Sequence, residues 1–420
     1  MPLQFGIALS FILMMGWVRL IPPPFGAPDL NATRFALLWV MMATTAIWVA
    51  MGAPGFAALC RDRLRALSAL ALLLLGIWAY ASQGWTFTHE IDPNVTASAG
   101  LIWCVVAVYT LVVASAAQRR LLITLMIAVG SLVAVVTLAQ VARQSTLGLG
   151  FLGEYQRSLT TNGNSILQAG DWRFLRPSGF SPHPNMLGGL LVVATLLATA
   201  RATQAHGRMR NIYLGLLALT FLALLVTFSR SAWLALAVAG GSLWLMMRMP
   251  WRRWLPVALV GALIAAIFLM SCWPLIAARA GVGEESIELR SVADRIVFTD
   301  LALRAIAEQP LIGQGAGAFP WRSAYYIRET FYDLLGDQVH QIFLAVWAEL
   351  GIVGLGLFIT GLLCGIVAGL RRLEHDRHDR AALLAVAIAF VVIGLFDHYP
   401  YSQLPLITLW WGCVAAAAQP

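Results

Sequence analysis

Apolar runs of about 18–22 residues, the length of helix that crosses a hydrocarbon core, recur from one end of the chain to the other and are broken by short polar connections. They fall near 3–21, 34–53, 65–82, 98–116, 120–142, 185–202, 211–228, 231–249, 254–278, 341–369, 380–397 and 402–418. This pattern predicts an all-α polytopic membrane protein of about twelve transmembrane helices. The first run begins at Gln4 with neither a basic leader nor a small-residue cleavage site, so it reads as a retained span. Two connections are long, 143–184 and 279–340. The chain therefore reads as a single transmembrane domain over 1–420 with 279–340 inserted as a largely helical loop between the ninth and tenth spans.

Composition excludes a soluble protein. Of the 420 residues 60% are hydrophobic and 11% charged, and the mean hydropathy is +0.78; so little polar surface cannot cover a water-exposed molecule of this size. All 28 basic residues are arginine, and the net charge is +8. Their positions point to membrane orientation, not to nucleic acid. Arg61, Arg63 and Arg65 follow the second span and Arg119 and Arg120 the fourth. Arg201, Arg208 and Arg210 follow the sixth, Arg248, Arg252 and Arg253 the eighth, and Arg371, Arg372, Arg377 and Arg380 the tenth. The positive-inside rule makes these connections cytoplasmic, and both termini with them. Every long connection then lies outside. The five cysteines are scattered, mostly within apolar runs, in no metal-site or disulfide spacing, and read as packing residues.

Outward arginines run against that bias and need a reason. They include Arg173, Arg176, Arg230, Arg290, Arg295, Arg304, Arg322 and Arg328, some of which are expected to be solvated or paired to Glu284, Glu288, Asp294 or Asp333. Arg230 differs, because it sits between two spans with almost no loop, where an arginine costs roughly 2.5–3.5 kcal/mol on insertion scales and marks a function or a buried pair. In the large loop, Ser291-Val-Ala-Asp294 reads as a capping box that starts a helix running to about Glu308, with Arg295 in its first turn. A glycine-rich turn follows at Pro310–Phe319, then a helix carrying Trp321, Tyr325, Tyr326, Phe331 and Tyr332, aromatics that stack on sugars or lie at headgroup level.

His340, at the outer end of the tenth span, can exchange a proton with a substrate hydroxyl near neutral pH, or it simply caps a helix. Asp337 can orient its ring if the helix begins that early. Glu349, nine residues on, would face the opposite side of that helix and reads as a structural hydrogen-bonding residue. Arg176-Pro-Ser-Gly-Phe-Ser-Pro-His-Pro-Asn185 leads into the sixth span: Asn185 is a candidate helix N-cap, His183 is held between prolines, and Arg176 binds an anion or bridges loop carbonyls. Thr227–Ser231 forms the turn carrying Arg230. Two acidic clusters have the look of metal sites, His89-Glu90-Ile-Asp92 outside and His375-Asp-Arg-His-Asp379 inside, but a solvated loop explains each. Gly313-Gln-Gly-Ala-Gly317 is not preceded by a strand, so it does not read as a phosphate loop.

The ordered set formed by Arg176–Asn185, Ser229-Arg-Ser231, Arg295 with Pro310–Gly315, and His340 with Glu349, Gly351 and Gly354 resembles the O-antigen ligase and polymerase superfamily of bacterial inner-membrane glycosyltransferases. Gln341 departs from the asparagine that many members carry after the histidine. The resemblance implies cofactor-free and metal-independent transfer on the periplasmic face. The donor would be a glycan on undecaprenyl pyrophosphate, and the acceptor a hydroxyl of the lipid A core or another glycan. It casts His340 as the base or acceptor-orienting residue and Arg230, Arg295 and Arg176 as the pyrophosphate-binding group, with Asn185, Glu349 and Asp337 in support. Membrane lipids are the other partners.

The acceptor separates ligase from polymerase and from oligosaccharyltransferase. One dominant outer loop suits a ligase, and the chain ends without the long C-terminal extension of many oligosaccharyltransferases. A lipid-linked-oligosaccharide transporter is the alternative from another class, and would spread charge through the bundle to both faces. A metal-dependent transferase using Glu90 and Asp92 is the other enzyme reading.

Overall fold

The computed structural model describes residues 1–16, 32–92, 94–159, 165–279, 286–328 and 336–420, with backbone alone at 32–35 and 286–292. Each of the apolar runs contains a helix. In chain order these begin with α1 (Pro2–Gly16), α2 (Ala32–Ala50), the short α3 (Phe56–Arg61), α4 (Arg63–Ala81), α5 (Asn94–Ala116) and α6 (Arg119–Arg143). After the first long connection come α7 (Pro184–Gln204), α8 (Gly207–Leu225), α9 (Arg230–Met247) and α10 (Trp251–Arg279). The second holds α11 (Ser286–Glu308) and α12 (Phe319–Arg328), and α13 (Ile342–Arg371), α14 (Arg377–Gly394), α15 (Tyr399–Ser402) and α16 (Leu404–Ala418) complete the chain. Among the described residues, eight helices are long and apolar enough to cross a membrane; α1, the apolar part of α2 and α16 are shorter.

The all-α expectation needs one correction. The connection 143–184 folds in part as an antiparallel hairpin, β1 (Ile166–Ala169) paired with β2 (Trp172–Leu175), with Ala169 opposite Trp172 across Gly170-Asp171. Gly170 takes a φ of 59°, the left-handed conformation such a two-residue turn requires.

Burial explains the arrangement of the bundle. α7 is enclosed along nearly its whole length and packs against α6, α8, α9 and α14. α10 presents Leu255, Leu259, Leu263, Ile267, Met270 and Trp273 outward, a surface that only lipid satisfies. The arginine-rich connections meet at one end. Arg119 pairs with Asp376, Arg201 with Asp379 at 2.8 Å, and Arg372 with Asp62 at 2.7 Å. Buried Arg380 donates to the carbonyls of Ala417 and Gln419 at the end of α16, a basic cap on helix carbonyls that lack intrahelical donors. The carboxylates of the expected cytoplasmic acidic cluster are thus committed to arginines.

At the opposite end the glycine-rich turn has a structural task. α13 is broken at Gly351, whose φ is 67°, and the break frees carbonyls in a helix otherwise built for the bilayer. Non-helical backbone at that depth is tolerated only where protein supplies the missing partners. Here Gln314 N donates to Ala348 O at 2.9 Å, Gly315 N to Glu349 O at 2.8 Å, and Ile352 N to Pro310 O at 2.9 Å. A Cβ on Gly313 would lie 2.4 Å from the Glu349 carbonyl, so only glycine permits this docking. The turn locks α11 and α12 onto α13.

Candidate active site

Small residues on α7 let two other segments reach the site. A Cβ on Gly188 would meet Ser229 Cβ at 2.9 Å, and one on Gly189 would meet the Tyr399 ring at 3.0 Å. The α8–α9 turn and the α14–α15 turn therefore both close onto the start of α7. His183, not Asn185, is the N-cap: its Nδ1 accepts from Asn185 N at 3.1 Å, with Pro184 opening the helix. Burial pushes His183 down to about 3, so the ring is neutral, in keeping with Nδ1 as acceptor and Nε2 facing Ser165 Oγ.

Freed from capping, the Asn185 side chain joins two charged groups. Its Oδ1 accepts from Arg176 Nη2 at 2.7 Å, and its Nδ2 donates to Asp397 Oδ2 at 2.9 Å. Arg176 is buried and also donates from Nε to Thr227 O at 2.8 Å. Asp397 Oδ1 accepts from the His398 backbone N–H and lies 3.5 Å from His340 Nδ1, a buried atom that forms no hydrogen bond among the described residues. A line of polar contacts thus runs from Arg176 through Asn185 and Asp397 to His340.

Two expectations about His340 change. α13 begins at Ile342, with the Gln341 side chain capping it through Leu344 N, so His340 precedes the helix and helical rotation does not separate it from Glu349. For the same reason Asp337 is not stacked against the ring. It accepts from Gln338 N instead, and the carboxylate beside His340 is Asp397. The His340 ring meets that of His398 edge-on at 5.2 Å between centroids.

Arg230 occupies the first position of α9 and donates to Arg279 O at 3.0 Å. Arg279, at the end of α10, is buried and donates from Nε to Phe228 O. Phe228 has a φ of 51° and is held there by Phe174 of β2 and Phe268 of α10, with ring centroids 5.3 and 5.4 Å away. α11 begins at Ser286, so Ser291 lies inside it, and Arg295 sits in its third turn and not its first. Arg230, Arg279 and Arg295 line one cavity of about 270 Å³ together with Asn185, Ser231 and Phe396. Three guanidinium-bearing residues, one of them at the N-terminus of α9, form a lining whose chemistry can take up an anion.

A second cavity, of about 520 Å³, is lined in part by His398. Its lining includes Asp92, Asn94, Asp337, Gln338, Ser402 and Gln403, with Trp103 and Tyr401. Asp92, one of the acidic pair considered for metal, accepts from Asn94 N at 2.9 Å, and the ligand atoms of His89, Glu90 and Asp92 do not converge among the described residues.

Glu349 fixes the second cavity. Its Oε1 accepts from Gln338 Nε2 at 2.8 Å and Phe319 N at 3.4 Å, and its Oε2 from Tyr401 Oη at 2.8 Å and Gly317 N at 3.0 Å. One carboxylate so ties α13 to the start of α12, to the segment leading to His340 and to the turn carrying His398. Glu349→Ala leaves these donors buried without an acceptor, and the expected cost is about 3–5 kcal/mol. Thermal unfolding in detergent should show a clear fall in midpoint, with Glu349→Gln intermediate; an unchanged midpoint for the alanine variant would contradict this role.

Other arginines of the connection 279–340 are paired within it. Arg322 donates to Glu308 at 2.6 Å, Arg304 lies 3.5 Å from the same carboxylate, and Tyr326 Oη donates to it at 2.6 Å. The arginine and tyrosine hydrogen bonds outweigh burial and lower Glu308. Glu284, Asp333, Phe331 and Tyr332, and the side chains of Glu288 and Arg290, lie outside the described residues.

Asp397, His398 and Arg279 were not among the residues singled out from sequence. Arg279 stood at the end of an apolar run, and Asp397-His398 in a short turn between two spans, a placement with the same insertion argument that drew attention to Arg230. The O-antigen ligase family model matches residues 215–359, a segment that includes Arg230, Arg279, Arg295, His340 and Glu349; Arg176, Asn185, Asp397 and His398 lie outside it. No curated protein matches the chain. That match supports the resemblance to the O-antigen ligase and polymerase superfamily, a family of ligase- and polymerase-type glycosyltransferases, over the segment 215–359.

Proposed function

We propose that the protein transfers a glycan from undecaprenyl pyrophosphate to an acceptor hydroxyl at the periplasmic face of the bacterial inner membrane, and that the acceptor is the lipid A core. The observation that carries this reading is the position of His340. It is joined through Asp397 to Asn185 of the arginine cavity and faces His398 of the polar cavity. Arg230, Arg279 and Arg295 hold the pyrophosphate in the first cavity. Asp337, Gln338, Asn94 and Gln403 bind sugar hydroxyls in the second, against Trp103 and Tyr401, an apolar wall with a few placed polar groups.

The chemistry follows from that division. The Asp397 carboxylate, 3.5 Å from His340 Nδ1, favours the tautomer with the proton on that nitrogen and so leaves the Nε2 lone pair for the acceptor hydroxyl. As Nε2 takes that proton, the acceptor oxygen bonds to the anomeric carbon and the bond from that carbon to the pyrophosphate oxygen breaks. The electron pair stays on the departing undecaprenyl pyrophosphate, whose growing charge the arginines stabilise in a partly dry site. A single displacement inverts the anomeric centre. Arg176 acts behind this machinery: its guanidinium holds Asn185 and the α8–α9 turn, so we assign it to positioning and not to the pyrophosphate. The arginines supply the positive charge that a divalent ion would otherwise provide, so the step proceeds without metal.

In this reading all twelve apolar runs span the membrane as one domain, 279–340 is inserted on the outer side, and both termini are cytoplasmic, because the arginine-rich connections converge at the other end. The guanidinium-lined cavity of Arg230, Arg279 and Arg295 lies at one end of the bundle, which favours an enzyme over a transporter. Reconstituted membranes containing a lipid-pyrophosphate-linked glycan and either lipid A core or a second lipid-linked repeat test the assignment. Transfer to lipid A core that survives EDTA is expected. Transfer only to the second repeat would make the protein a polymerase, and loss with EDTA would sink the metal-free step.

A further inference from the structure

We infer that His340, Asp397 and His398 form a binding site for a Zn²⁺-class transition-metal ion, and that an ion bound there switches the transferase off. The inhibitory half rests on the proposed role of His340; the binding half does not. One ligand atom from each residue falls within 4.8 Å of the others, the one such convergence of three among the described residues. Two imidazoles and a carboxylate suit zinc, cobalt or copper and disfavour magnesium and calcium, which take oxygen donors.

The details of the site match a metal centre. His340 Nδ1 is buried and makes no hydrogen bond among the described residues, and it stands 3.5 Å from Asp397 Oδ1. Two ligand atoms on a tetrahedral zinc, each about 2.0–2.1 Å from the ion, are separated by about 3.3–3.4 Å. That edge of the tetrahedron is nearly formed, and the His398 ligand atom lies within 4.8 Å of both. The groups behind the ligands are also in place. Ser402 Oγ holds His398 Nδ1 at 2.8 Å, which leaves Nε2 as the donor. Asn185 Nδ2 holds the outer oxygen of Asp397 at 2.9 Å. Such outer hydrogen bonds orient histidine and carboxylate ligands. His398 lines the larger cavity, which gives the ion a route and a water for the fourth position.

Inhibition follows from the tautomer. A zinc ion takes the lone pair of Nδ1 and so selects the ring form with hydrogen on Nε2. That ring has no lone pair left for the acceptor hydroxyl. No proton is gained or lost overall, and a chelator reverses the state.

The test uses the full-length protein in nanodiscs, stripped with EDTA and dialysed, with ZnCl₂ alone as probe. Calorimetric titration should show one site per chain that disappears in His398→Leu, while Ser402→Ala weakens it roughly 10–100-fold, the usual effect of losing an outer hydrogen bond. In the transfer assay zinc should inhibit the wild type and EDTA restore it, and His398→Leu, measured against its own zinc-free rate, should resist zinc at least about tenfold better. Equal zinc affinity and stoichiometry in wild type and His398→Leu would overturn the site, and stimulation by zinc would overturn the inhibitory role. Zinc binding that depends on His398 in a protein with no zinc-free transfer would leave the site standing and refute the transferase reading instead.

Discussion

His340→Ala is expected to lower glycan transfer by about 10²–10⁴-fold, the span associated with a positioned general base, while leaving the protein folded. The side chain precedes α13, whose N-terminus is capped by Gln341, and among the described residues its buried Nδ1 makes no hydrogen bond, so its removal takes no support from the helix. Loss should appear in kcat with little change in KM, because proton transfer is made only in the transition state. Added imidazole should recover part of the rate in the alanine variant, which a purely structural role would not permit. Asp397→Asn probes the same step from behind. An amide presents either oxygen or nitrogen to Nδ1 and no longer favours the tautomer with a free Nε2, so a loss approaching that of the histidine variant is expected. Wild-type rates in His340→Ala would remove the base from the mechanism.

The sequence was most informative where one residue meets one solvent. Arginine distribution and apolar length located the helices, since the bilayer penalises each charge and each unpaired peptide group on its own. Arg230 was visible for that reason. The hairpin at 166–175 was legible in principle, because Gly170-Asp171 between Ile166-Leu-Gln-Ala169 and Trp172-Arg-Phe-Leu175 is a two-residue turn signal, but surrounding polar residues made the segment look like a plain connection. The glycine-rich turn at 310–317 is different. Its requirement for glycine comes from a helix break some thirty-five residues later in the chain, and no local pattern reports a distant carbonyl.

The site itself was legible in part. His340, Arg230 and Arg295 carry recognisable chemistry, yet their relation to Asp397 depends on α7, which brings Asn185 to a turn 212 residues away. Asp337 was the natural partner for His340 by sequence distance, and it fails because the helix starts later than the pattern implied. Arg176 shows the converse. Its residue type fits an anion, but it donates to Thr227 and Asn185, which is why our proposal gives it a positioning role.

Arg295→Ala is the sharpest test of the anion cavity. Arg295 lines the cavity from α11, the inserted loop, whereas Arg230 and Arg279 are also braced against backbone carbonyls of the bundle. Removing it should therefore perturb the fold least while withdrawing one charge from the departing pyrophosphate. The expected loss is about 10²–10³-fold in kcat/KM, or roughly 2.7–4 kcal/mol, as for a single preorganised donor at a developing charge. Arg295→Lys should recover only a fraction, because an ammonium supplies a point charge without the planar pair of N–H donors that matches a phosphate. Inorganic pyrophosphate should compete with the lipid donor and do so more weakly in Arg295→Ala, which ties the defect to the leaving group and not to the acceptor. If the alanine variant kept its kcat/KM and its sensitivity to pyrophosphate, the pyrophosphate would have to lie elsewhere. The polar cavity beside His398 would then have to take both substrates, a poor fit for an anion because Asp92 and Asp337 line it.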